Sequence, residues 1–141
     1  MKSVFDSPYH SIIGRPSLRI IGYKIGKESL NQTKLPPTPL TFLINPTLTP
    51  LDRESKWTHE YESCESLPHY NCIVKRPGKV EMKALNLDGA EVQFTVEGFL
   101  AKVLHHEMDH LEGVSLVDRM VPGTLRHDQY IDVYENYPAK K

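Results

Sequence analysis

Two histidines four residues apart, His106 and His110, bound the stretch His106-Glu107-Met108-Asp109-His110, and no other feature constrains this chain as tightly. On a helix, residues at i and i+4 project from one face about 6 Å apart, close enough to share one metal ion. A glutamate beside the first histidine then lies next to the water that such an ion activates, where it can act as general base. A charged helix can carry the same pattern by chance, so the surroundings decide. Over residues 95–113, Phe99, Val103, His106 and His110 form one row, and Leu100, Leu104, Glu107 and Leu111 form the row beside it. Together they predict one wide inward face. Gly98, Lys102, His105, Asp109 and Glu112 make the expected polar stripe on the opposite side. Thr95 suits the N-cap with Glu97 in the first turn, and Gly113 suits the residue just past the C-terminus.

The rest of the chain predicts how this helix is held. At 141 residues one domain is expected over 1–141, with a Pro-rich loop at 26–41. Residues 18–25 read as a strand, and Phe42-Leu43-Ile44 reads as a short strand stopped by Asn45-Pro46. A further strand around Ile73 and Val74 ends at Pro77-Gly78. Val80 to Leu87, then Asp88-Gly89, then alternating Val92, Phe94 and Val96 predict a hairpin with a type I′ turn. The last 20 residues read as a short edge strand or a tail. The expected class is α+β, with antiparallel sheets packed around a central helix that carries the metal motif. A net charge of -1, no basic stripe and no span-length apolar run argue against nucleic-acid and membrane partners. No secretory signal is expected.

A catalytic metal site takes three protein ligands and leaves a position open. The longer pattern that ends in a third histidine fails here, because position 116 is Leu. Glu135 would have to act from an irregular tail. Cys64, in Glu62-Ser63-Cys64-Glu65-Ser66, precedes the hairpin that returns toward the helix. A thiolate with two imidazoles suits Zn²⁺ or Fe²⁺. The plainer reading of Cys64 is a small buried apolar residue. With only Cys64 and Cys72 there is no disulfide framework; the two could pair, but a reducing compartment and a metal-bound thiolate are the expectation.

These motifs resemble those of the peptide deformylases. That family carries E-G-C-L-S, whose cysteine binds the metal, and Q-H-E-x-D-H-L-x-G, whose histidines complete the site. Here the second reads His105-His106-Glu107-Met108-Asp109-His110-Leu111-Glu112-Gly113, altered at His105, and the first is altered at Ser63 and Glu65. Ser66-Leu67-Pro68, Val74-Lys75-Arg76-Pro77 and Leu85-Asn86-Leu87-Asp88-Gly89 also follow the family pattern, over about residues 12–125. The ending Val117-Asp118-Arg119-Met120-Val121-Pro122 is similar to organelle-type members. The resemblance implies one divalent ion, Fe²⁺ or Zn²⁺, on Cys64, His106 and His110. It implies Glu107 as general base and the Glu65 backbone N–H as oxyanion donor. The implied substrates are N-formylated nascent peptides at the ribosome, in a mitochondrion or other organelle, or otherwise in the cytoplasm.

The departures carry expectations of their own. The family's glycine-rich first motif, with its glutamine, should precede Ile13-Gly14, yet the sequence there is Phe5-Asp6-Ser7-Pro8-Tyr9-His10-Ser11-Ile12. Loss of one oxyanion donor costs about 10²–10³ in rate, so a slow enzyme is expected. No counterpart of the helical segment that precedes that motif in the family is expected within residues 1–12. The positions that match the methionine pocket are Phe99, Lys102 and Val103, and Lys102 sets an ammonium where a thioether would pack. Weak binding of formyl-methionyl peptides follows, with little preference for Met over polar first residues. Two further readings stand beside the deformylase: a metal-binding relative that has lost catalysis and serves as an interaction or structural protein, and a peptidase that uses the same motif.

Overall fold

Alternation along residues 79–97 builds the hairpin that ends the larger sheet at one edge. The computed structural model describes residues 18–26 and 37–136, so the segment 5–14 and residues 27–36 of the Pro-rich stretch lie outside the described residues. Strands β1 (Ile20–Ile25), β2 (Thr38–Pro50), β5 (Lys79–Leu85) and β6 (Glu91–Glu97) form an antiparallel sheet in the order β1-β2-β5-β6. Val80, Met82 and Ala84 point inward from β5, with Val92, Phe94 and Val96 beside them from β6. Strands β3 (Thr58–Cys64), β4 (Leu67–Arg76) and β7 (Arg126–His127) form a second antiparallel sheet. Helix α1 (Phe99–Leu111) lies between the two, followed by the short helices α2 (Leu116–Arg119) and α3 (Ile131–Asn136). The class is α+β, with antiparallel sheets around a central helix.

Several boundaries differ from the sequence reading, each for a local reason. Strand β2 begins inside the Pro-rich stretch and does not stop at Asn45-Pro46. Its first half pairs with β1 and its second half with β5, and its pairing with β5 shifts register between Ile44 and Thr47. Pro46 sits in that irregularity, where the missing N–H costs no ladder bond. The β5–β6 turn is not type I′, which needs positive φ at both central residues. Only Gly89 in the loop has positive φ (78°), while Asn86 N–H donates to Ala90 O (2.9 Å) and Gly89 N–H to Asn86 O (3.0 Å). The loop is therefore the three residues Leu87-Asp88-Gly89, closed by a glycine bulge. The tail supplies both a short strand, β7, and a helical turn, α3, which includes Glu135.

Helix α1 starts later than expected. Thr95 remains in β6, and the N-cap is Gly98, at φ 65° and ψ -135°, a conformation open to glycine alone. This one residue turns the chain from strand to helix. At the other end, Val114 N–H donates to Asp109 O (2.8 Å) and Gly113 N–H to His110 O (3.2 Å), a Schellman cap.

The largest correction concerns the faces of α1. Leu100, Leu104, Met108 and Leu111 pack on the four-stranded sheet with Ile21, Tyr23, Leu43 and Met82. His106 and His110 lie on the other side, toward β3 and β4, together with Lys102, His105 and Asp109. His105 and Asp109 are buried, not solvated, because the smaller sheet covers this face and supplies Arg76, itself 2% exposed. A second apolar cluster of Cys72, Val74 and Leu116 backs that sheet. Among the described residues, no helix is long and apolar enough to cross a membrane.

Candidate metal centre

The end of β3 and the middle of α1 bring three donors together. Cys64 Sγ lies 3.4 Å from His110 Nε2, and the Nε2 atoms of His110 and His106 lie 3.0 Å apart, their rings tilted by 69°. One ligand atom from each residue falls within 4.8 Å of the other two. With Zn–N near 2.05 Å and Zn–S near 2.3 Å, a tetrahedral site needs N···N about 3.3 Å and N···S about 3.6 Å. The observed spacings sit a few tenths of an ångström inside those values, so the three side chains fit a divalent ion with little movement. Sulfur with two imidazoles also suits Zn²⁺ or Fe²⁺ by ligand softness.

A second ring of residues orients these donors. Glu62 precedes Cys64 by two on β3 and so shares its face. Its Oε2 accepts a hydrogen bond from His106 Nδ1–H at 3.0 Å, which leaves Nε2 turned toward the cluster. Arg76 clamps Glu62 with two bonds (Nε to Oε1 2.8 Å, Nη2 to Oε2 2.9 Å) and reaches Asp109 Oδ2 at 2.5 Å. Arg76 Nη1 also lies 2.9 Å from His105 Nδ1. Arg119 grips Asp109 from α2 (Nη2 to Oδ1 2.7 Å), and α2 is fixed by a capping box between Ser115 and Asp118. Glu62, Arg76 and Asp109 were visible in the motifs but carried no role there. Strand alternation could have marked Glu62. Nothing local marks Arg76, whose partners lie 14 and 33 residues away.

This ring sets the protonation states. Burial would raise the Cys64 thiol, but hydrogen bonds from His106, His110 and Ser66 outweigh it and hold the group at about 5. Ser66 supplies both its hydroxyl (2.9 Å) and its backbone N–H. Burial also opposes the charges on Glu62 and His106. Even so, His106 and Arg76 bring Glu62 down to about 2, while Cys64 and Glu62 lift His106 to about 9. His105 falls to about 4 through burial and the adjacent Arg76, so it is a neutral imidazole. Burial raises Glu107, which is 7% exposed and feels the charges of His106, His110 and Cys64.

The remaining predicted residues are placed as follows. Glu65 is exposed in the tight turn between β3 and β4, next to Cys64. Phe99, Lys102 and Val103 occupy the first turns of α1; Phe99 is half-buried, Val103 buried, and Lys102 pairs with Glu60 of β3. Cys72 is fully buried on β4 with its thiol directed at Leu116 O (3.8 Å), and burial pushes it up to about 11. Both cysteines are free, so the alternative in which they pair is not realised.

Comparison with known proteins agrees with this fold. A family profile described as polypeptide deformylase matches residues 13–125. Peptide deformylase 1 of Prochlorococcus marinus is 42% identical over 111 residues, covering 77% of this chain and 55% of that protein. The crystal structure of a Synechococcus elongatus peptide deformylase in complex with actinonin superposes with a TM-score of 0.56 at 34% identity, covering 60% of this chain and 46% of the other. A Met-Ala-Ser-bound class I type b peptide deformylase from Acinetobacter baumannii gives a TM-score of 0.52 at 33% identity, covering 60% and 53%. The chain spans about half the length of the curated relatives it matches.

Proposed function

The chain belongs to the polypeptide deformylase family, and from that premise we propose that it hydrolyses the N-formyl group of formyl-methionyl peptides on nascent chains, as a slow enzyme. The observation that carries this reading is the cluster of Cys64, His106 and His110, with the buried, charge-coupled Glu107 beside the first histidine. Cys64, His106 and His110 would hold one Fe²⁺ or Zn²⁺ ion. When bound, such an ion supplies Lewis acidity, polarising the formyl carbonyl and lowering the pKa of water toward about 7.

The chain's own groups do the rest. Glu107 takes a proton from the attacking water as the new C–O bond forms at the formyl carbon. Its carboxyl, raised by burial, is a better match to that proton than an exposed one. The Glu65 backbone N–H donates to the developing oxyanion. Glu107 then passes the proton to the departing amine as the C–N bond breaks, releasing formate and a free N-terminus. Glu62, held by Arg76, keeps His106 in the tautomer that offers Nε2.

Formyl-Met-Ala-Ser is the test substrate, assayed on metal-loaded protein under anaerobic conditions. Release of formate at a rate that falls with Glu107→Gln supports the reading; no release from fully loaded protein refutes it. A metal-binding relative without turnover is the second reading. It is favoured by residues 5–12, which hold neither the glycines nor the glutamine of the family's first motif.

A further inference from the structure

Helix α1 carries two pairs at i, i+4 spacing, set one residue apart. His106 and His110 belong to the metal centre. His105 and Asp109 both turn to a single atom, Nη1 of Arg76 (His105 Nδ1 at 2.9 Å, Asp109 Oδ2 at 2.5 Å). Arg76 is 2% exposed, so solvent does not stand in for either acceptor. Its opposite edge grips Glu62 through Nε (2.8 Å) and Nη2 (2.9 Å). A guanidinium is a rigid planar fork, so whatever fixes Nη1 also fixes the edge that meets Glu62. Glu62 in turn aligns His106 (Oε2 to Nδ1, 3.0 Å).

Of the two acceptors on Nη1, Asp109 is shared, because Arg119 bonds it at 2.7–3.1 Å through Nε and Nη2. His105 answers to no second arginine among the described residues. An arginine N–H only donates, so Nδ1 accepts and the imidazole proton sits on Nε2. Trp57 holds the ring in that orientation. Its indole meets the His105 ring edge-on, with centroids 5.5 Å apart and 75° between planes. Its own Nε1–H is anchored on Asp52 O at 3.2 Å, within the loop between β2 and β3. A flipped imidazole would set a C–H against Arg76 and leave a buried N–H without an acceptor, which costs more than one such bond contributes. His105 is also the position at which the helix motif departs from the family's Q-H-E-x-D-H-L-x-G. Its pairing with Trp57 is therefore a feature of this chain's own sequence.

Resting on the metal-dependent reading above, we propose that His105, seated by Trp57, is a positioning residue that fixes Arg76 and, through Glu62, holds His106 in place for the metal ion. The test measures Zn²⁺ Kd by chelator competition, with the urea midpoint of the metal-free protein, for the wild type, His105→Leu and His105→Asn. Asparagine sets an amide oxygen as many bonds from Cα as Nδ1, so it keeps the acceptor and loses the ring. His105→Leu should weaken Zn²⁺ binding about tenfold, the lower end for residues that support a ligand, and His105→Asn should recover most of that loss. A merely structural role would lower the urea midpoint in both variants and leave Kd where it is. Trp57→Ala opens the seat from a half-buried position and keeps His105, so it serves if His105→Leu does not fold. It should weaken Zn²⁺ binding by a smaller factor. An unchanged Kd in folded His105→Leu, no recovery in His105→Asn, or an unchanged Kd in Trp57→Ala would overturn the proposal. A wild type that binds no Zn²⁺ would overturn it together with the metal centre. Kd values in the expected order, with no formate released from formyl-Met-Ala-Ser, would overturn the hydrolase reading and leave the role of His105 standing.

Discussion

Arg76→Met tests whether the buried ion network, rather than the helix motif alone, holds the centre together. Methionine preserves most of the stem volume and removes the charge. It leaves Glu62, 17% exposed on its side chain, with His106 as its remaining charged partner. Asp109 keeps Arg119, which bonds it at 2.7–3.1 Å. Breaking a buried pair from one side costs about 3–5 kcal/mol, because a charge stays behind without its partner. Since Glu62 loses its arginine but keeps His106, and Asp109 keeps Arg119, the lower end, about 3 kcal/mol, is expected. Urea unfolding of the metal-free protein at pH 7 reads this as a fall in midpoint at constant slope. The double variant Glu62→Gln/Arg76→Met removes the orphan charge and should recover more than half of the loss. A loss below about 1 kcal/mol, or a double variant no more stable than Arg76→Met, would refute the reasoning.

Cys64→Ala should abolish stoichiometric metal uptake, read by metal analysis after gel filtration; wild-type affinity in this variant would remove Cys64 as a ligand. Glu107→Gln should keep full metal occupancy and lower turnover by about 10²–10⁴, the usual span of a general base, so undiminished hydrolysis at full loading would contradict its role. In metal-free protein at pH 7, iodoacetamide should label Cys64, held near 5 by its partners, long before the buried Cys72 near 11. Mass mapping that finds Cys72 modified first would show this assignment to be inverted. Metal loading should depend on pH with a definite sign. Between about 5 and 9 the metal-free site holds a Cys64 thiolate and a protonated His106, so binding expels one proton from His106. Apparent affinity should rise about tenfold per pH unit up to about 9 and then flatten; a flat profile from pH 6 to 8 would count against it.

The parts of the fold that were legible in the sequence rest on short-range pattern. Alternation at Val92, Phe94 and Val96 marked a strand, and the histidine spacing marked a helix carrying two candidate ligands. Gly113 marked its end. The errors have one physical origin, which is that distant partners change what a residue type means. His105 and Asp109 read as a solvated stripe because their partner Arg76 arrives from another strand. Asn45-Pro46 read as a stop because Pro cannot donate, yet the irregularity in β2 asks for no donation there. Thr95 read as a cap because the β6 ladder that claims it is set by pairing with Glu81. Cys64 was legible as a candidate ligand from its place ahead of the hairpin and from its motif. Its partnership with His110 spans 46 residues.

The charges around the centre also explain why it suits a divalent ion. Cys64, Glu62 and Asp109 contribute three negative charges, and Arg76 and Arg119 contribute two positive ones. In the metal-free protein the remaining negative charge is met by the proton on His106. A dication in place of that proton would leave the cluster one unit positive, next to where the proposed reaction would build an oxyanion. A monovalent ion would only restore neutrality and offer no such field. Glu107 is the carboxyl not drawn into this balance. Among the described residues it is neither clamped by an arginine nor hydrogen-bonded by a neighbouring side chain. The network thus neutralises the carboxylates that orient the candidate ligands, while the proposed general base stays outside it.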